Sequence, residues 1–136
     1  AVYEKADKNW KANMAEKGAY VVQEGSDTPD ITILASGSEV NMALKAASLT
    51  SGKTIRVVSV PDLKKFSNLC CCEQEKIIGK AKRVVCTEAG VSTEWLQFAK
   101  KEDCFCIDRF GTSGPANKVA EYLGFTAEKL AELLNK

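Results

Sequence analysis

Apolar and polar positions along the chain alternate between two spacings, short β-branched runs and longer stretches that repeat every three to four residues. Ile31–Ala35 (ITILA) is an apolar run of strand length. After the turn Ser36-Gly37-Ser38, with Ser38 as the expected cap, Val40, Ala43, Leu44 and Ala47 recur at helical spacing, and Gly52 stops that helix. Residues 54–60 (TIRVVSV) run on continuously, the pattern of a strand covered on both faces, and Pro61 breaks it. Residues 69–80 predict a helix with Ile77 and Ile78 facing inward. Residues 83–87 (RVVCT) and 104–107 (CFCI) predict two more strands. Between them Ser92 is expected to cap a helix through Trp95, Phe98 and Ala99. Ser113 is expected to cap a helix carrying Ala116, Val119, Ala120 and Leu123, which Gly124 ends. Thr126 caps a final helix with Ala127, Leu130, Leu133 and Leu134 on one face.

The first 17 residues are polar, with scattered apolar positions at Val2, Tyr3, Ala6 and Trp10. They read as a short helix or a connecting arm, and Gly18 ends the segment. Residues 19–23 (AYVVQ) predict a short strand, and residues 24–30 (EGSDTPD) a loop. From Ile31 onward strands and helices alternate, which argues for a parallel sheet with helices on both faces. The loop after AYVVQ is too short for a helical crossover, so that strand is expected to run antiparallel at an edge.

Composition narrows the picture. A chain of 136 residues with 45% hydrophobic content suits one domain with one core. A net charge of +1 without a basic stripe gives no case for nucleic acid. No run approaches the ~18 apolar residues of a membrane span, and the N-terminus has no signal-peptide core. The six cysteines match no disulfide framework, and CCC with CxC offers no pair of zinc-binding arms. Reduced thiols and a cytoplasmic setting are therefore expected. Cys86 and Cys106 are expected in the core, and Cys70, Cys71 and Cys72 more exposed. The chain has no histidine. The commonest general base is absent, and Ser–His and Cys–His nucleophiles are excluded.

In a parallel sheet the turns that follow the strands gather on one edge, where open α/β folds bind ligands. Ser36, Gly37, Ser38, Thr87 and Arg109 are the candidate residues there, for a weak anion site at a helix start. The turn lacks the second Gly and the Lys of a P-loop, and the further glycines of a dinucleotide fingerprint. The competing reading is structural: Gly37 makes a tight corner and Ser38 caps a helix. Arg109 and Glu88 are expected to form a structural ion pair. No residue is assigned a catalytic, cofactor-binding or metal-binding role.

These residues also carry a resemblance. ILASGSEVNMALKAA, IRVVSVPDLKKF, RVVCTEAGVSTEW and DRFGTSGPANKVAEYLGFTAEKLAELL resemble successive blocks of the C-terminal domain of the transketolase family, from Gly18 to the end. The related 1-deoxyxylulose-5-phosphate synthases and 2-oxoacid dehydrogenase β chains are the alternatives, but VSVPDLKKF is closer to transketolase. The resemblance implies a three-layer α/β/α fold with a mixed five-stranded sheet, mostly parallel, its first strand antiparallel. It implies a homodimeric parent enzyme that transfers a two-carbon ketol unit between sugar phosphates in the pentose phosphate pathway. Thiamin diphosphate and a divalent metal, magnesium or calcium, would bind in that parent between two more N-terminal domains, not in this chain. The C-terminal domain would then be non-catalytic, packing against its neighbours, with a possible regulatory role. Residues 1–17 match the family poorly and are expected to be an arm or interdomain link, with residues 18–136 as the domain. The segment KKFSNLCCCEQEKIIGKAK departs from the family in length and cysteine content. The chain begins at AVYEK without methionine, as a piece of a larger enzyme would. A free-standing module binding a small anion or a protein is the contrasting expectation.

Overall fold

Two strands of this chain are buried at every position, and they stand in the middle of its sheet. The computed structural model describes residues 8–26, 28–36, 39–88, 93–106 and 126–135. Its strands are β1 (Tyr20–Gln23), β2 (Ile31–Ala35), β3 (Ile55–Ser59), β4 (Arg83–Glu88) and β5 (Cys104–Cys106). They form one sheet in the order β1-β3-β2-β4-β5. β1 pairs antiparallel with β3, and the pairs β2–β3, β2–β4 and β4–β5 are parallel. The expected antiparallel edge strand is therefore found, with a register shift between Val21 and Gln23.

Both faces of the sheet are covered. Helices α2 (Val40–Leu49) and α5 (Ala127–Leu134) cover one face, where Val40, Ala43, Leu130 and Leu134 meet Ile31, Ile33, Ile55, Val57 and Val85. Helices α3 (Leu63–Ser67) and α4 (Cys71–Ile78) and a 3-10 turn at Thr93–Gln97 cover the other. There Phe66, Ile77 and Trp95 meet Leu34, Val58 and Cys86. Ile33 and Leu34 belong to opposite cores because side chains alternate along a strand. Each fully buried Val, Leu or Ile contributes about 1.5–3 kcal/mol, so a strand buried on both faces is a strong anchor. Continuous apolar runs are what such a strand requires.

α1 (Trp10–Lys17) precedes β1 and ends at Gly18, which adopts φ 75° at the helix C-cap. Trp10 packs on Tyr20, with ring centroids 5.5 Å apart. At the far end of the chain Thr126 caps α5 by accepting from the Lys129 N–H.

Some expectations are corrected. The helix expected over 69–80 is Cys71–Ile78, and a separate short helix, α3, precedes it. Asp62 starts α3 by accepting from the Lys65 N–H at 3.1 Å. The expected α-helix through Trp95 is instead a five-residue 3-10 turn. Too short to gain from α-helical propagation, it tightens around Trp95, whose carbonyl accepts from both Phe98 and Ala99. The cap of α2 falls on Glu39, which makes no side-chain cap bond. Gly37, Ser38, Ser92, Ile107, Arg109 and the helix expected after Ser113 lie outside the described residues.

Candidate functional site

The connections decide where a crevice forms. β2 leads through α2 to β3 on one side, whereas β3 leads through α3 and α4 back across β2 to β4. The two crossovers cover opposite faces. The gap between the C-terminal ends of β2 and β4 is thus the switch point of the sheet, the usual ligand position in open α/β folds.

Ala35, the last residue of β2, sits in register between Ser59 of β3 and Thr87 of β4. In-register residues of parallel strands project to the same face, here the one covered by α2. Ser59 is 1% exposed and Thr87 0%. Neither hydroxyl has a hydrogen-bond partner among the described residues. An unpaired buried hydroxyl costs about 1–3 kcal/mol. The two flank Ala35 from the neighbouring strands and mark the floor of the crevice as its least satisfied part.

Ser36 forms the wall above. Its N–H donates to the Thr87 carbonyl at 3.2 Å, and its carbonyl accepts from the Glu39 N–H at 2.9 Å. Its hydroxyl donates to Glu39 Oε2. Every donor of Ser36 is thus engaged within the corner. Glu39 itself is 9% exposed. On the opposite wall Glu88 Oε2 accepts from the Trp95 indole N–H at 2.5 Å. That bond ties the end of β4 to the turn covering the second core. The expected partner of Glu88, Arg109, lies outside the described residues.

The structure brings Ser36 and Thr87 together through a backbone bond. It adds Ser59, Glu39 and Trp95 as neighbours that residue spacing alone does not single out as a set. Parallel register is the signal that unites Ser59 with Thr87, and register is not visible in either strand by itself. On the α2 face the corner presents the Glu39 carboxylate, engaged by the Ser36 hydroxyl, and the buried hydroxyls of Ser59 and Thr87, while the Glu88 carboxylate turns to Trp95 on the other face.

The family model for the transketolase-like TK C-terminal domain matches residues 18–126. The chain belongs to this family. The transketolase of Treponema pallidum (strain Nichols) is 50% identical over 133 residues, spanning 98% of this chain and 20% of that protein. The probable transketolase of Streptococcus pneumoniae is 39% identical over 122 residues, 87% of this chain and 18% of that protein. A crystal structure of a transketolase mutant from Pichia stipitis superposes with a TM-score of 0.82 at 26% identity, over 98% of this chain and 19% of that one. The chain therefore spans about a fifth of the length of the curated transketolases it matches.

As a transketolase C-terminal domain, the chain has the five-stranded mixed sheet that the resemblance implied. The sequence has no histidine. Among the described residues no three metal-ligating side chains converge.

Proposed function

We propose that this chain acts as the C-terminal, non-catalytic domain of a transketolase that moves a two-carbon ketol unit between sugar phosphates in the pentose phosphate pathway. The family match over residues 18–126 carries this reading. In it, thiamin diphosphate and magnesium or calcium are held by other parts of a longer, homodimeric enzyme. Residues 1–17 serve as a link and residues 18–136 as the packing domain. The setting is cytoplasmic. Among the described residues no helix is long and apolar enough to cross a membrane, which is compatible with that setting.

Within this domain Ser36, Gly37, Ser38, Thr87 and Arg109 form a weak anion site with a regulatory role. The buried carboxylate of Glu39 and that of Glu88 oppose an anion there. They set its ceiling.

Two measurements test the reading. The intact native protein should transfer ketol units in a manner dependent on thiamin diphosphate and a divalent metal. The 136-residue chain alone should give no calorimetric signal with thiamin diphosphate and magnesium. Micromolar binding by the chain alone, or an intact protein without ketol transfer, would overturn it.

A further inference from the structure

Away from the switch point, a cavity of about 520 Å³ opens where the end of α4 meets the N-terminal half of β3. Thr28, Arg56, Cys72, Lys76, Gly79 and Lys80 line it, together with Glu75. Cys72, Glu75, Lys76 and Gly79 fall at the i, i+3, i+4 and i+7 spacing of one helical face.

Arg56 gives this cavity its charge. It is 4% exposed, and its guanidinium donates to the carbonyls of Glu24, Ile77 and Ser26 at 3.0, 3.1 and 2.8 Å. All of these are neutral acceptors. No carboxylate among the described residues pairs with it. Gly79 allows the approach. It has φ +79°, and a Cβ there would lie 2.8 Å from Arg56 Nη1. Lys76 and Lys80 add two exposed cations at the rim. Lys76 also pairs with Glu73 at 3.3 Å. Among the described lining residues, three are cationic and one, Glu75, is acidic. A cleft lined by an excess of one sign of charge raises the local concentration of oppositely charged small molecules.

Cys70, Cys71 and Cys72 are all exposed free thiols. Only Cys72 of the three lines the cavity. We infer that Cys72 is a thiolation site selective for small disulfides bearing carboxylates, the glutathione type. The Cys72 sulfur attacks one sulfur of the disulfide and forms a new S–S bond as the original S–S bond breaks. The second sulfur leaves with the electron pair and takes up the proton that Cys72 gives away. Cys72 is oxidised, and the released half of the disulfide is reduced. Arg56, Lys76 and Lys80 hold the carboxylates of the incoming reagent during this exchange.

The test uses the intact reduced protein at low ionic strength. It is exposed in parallel to glutathione disulfide, to uncharged 2-hydroxyethyl disulfide and to cationic cystamine. Initial rates at each cysteine are read by peptide mass spectrometry. With glutathione disulfide, Cys72 should react at least ~3-fold faster than Cys71 or Cys70, a modest share of the enhancement that electrostatic focusing gives. With cystamine that preference should vanish or reverse, and salt should erase it. The Lys80→Gln variant removes a rim charge without touching the core. It should slow the glutathione reaction at Cys72 and leave the 2-hydroxyethyl reaction unchanged. Equal rates at Cys71 and Cys72 with glutathione disulfide would overturn the inference, as would a preference that ignores reagent charge or survives Lys80→Gln in full.

Discussion

Gly18 and Asp62 meet backbone to backbone. The Asp62 N–H donates to the Gly18 carbonyl at 3.1 Å, and a Cβ on Gly18 would lie 2.4 Å from the Asp62 carbonyl oxygen. The contact joins the end of α1 to the start of α3. Gly18 also has φ +75°, a left-handed conformation that side chains disfavour. Gly18→Ala therefore combines backbone strain with a clash against main chain, which cannot rotate away. A loss of about 2 kcal/mol or more is expected from such strain alone, read as a lower midpoint in urea denaturation. An unchanged midpoint would show that α1 and α3 separate freely.

What the sequence reveals follows how much of each element's form is set locally. β2 and β3 are legible because a strand buried on both faces must be apolar throughout. α5 is legible from its four-residue apolar rhythm and its Thr126 cap. α3 is not, because its five residues depend on one Asp62 cap and on Phe66 finding the second core. Trp95, Phe98 and Ala99 carry helical spacing, yet three such positions are also compatible with a 3-10 turn. Arg56 sits inside an apolar run and gives no local sign that three carbonyls, two from the loop after β1 and one from α4, enclose it. At the crevice, Ser36 and Thr87 are readable as turn residues. The unpaired state of Ser59 and Thr87 is not, since it depends on register across three strands.

The thiols should divide by burial. Cys86 is buried in the core beneath α3 and α4, while Cys71 is exposed on α4. Alkylation requires a sulfur that reagent can reach. Timed iodoacetamide labelling, followed by mass spectrometry, should modify Cys71 well before Cys86. Cys104, which is partly exposed, should fall between them. Equal labelling of Cys86 and Cys71 would mean that β4 opens as fast as reagent arrives.

Acid should weaken the fold through surface carboxylates. The Thr54 N–H donating to Asp30 holds that carboxyl below its ordinary 3.8, aided by Lys82. Lys17, then Lys76, hold Glu73 below 4.5. A carboxyl depressed on folding stabilises the native state above its ordinary value and loses that contribution as pH falls through the depressed one. The melting temperature should therefore decline as pH drops below about 4.5 and continue to fall through the depressed range. Asp30→Asn should blunt the decline. Because these groups are exposed, salt should shrink the effect. A melting temperature flat from neutral pH down to ~3 would contradict this assignment.

The crevice at the switch point offers a sharper choice. If Thr87 has no partner in the native protein, its buried hydroxyl is a cost, and replacing it with an isosteric methyl removes that cost. Thr87→Val should then leave stability unchanged or raise it by about 1 kcal/mol. If instead a ligand or water satisfies the hydroxyl, the same substitution should lower stability by a similar amount. Phosphate distinguishes between those occupants. Helix-start amides attract an anion by about 1 kcal/mol, and the carboxylates of Glu39 and Glu88 act against it. The sum allows only millimolar binding. An NMR titration should show saturable amide shifts over residues 37–40 at millimolar phosphate, and Glu39→Gln should tighten them by removing one opposing charge. A stabilised Thr87→Val together with amides that stay still at high phosphate would leave Ser36 and Glu39 as a corner closed on itself. Its donors would then be spent within the fold, with none left for a ligand.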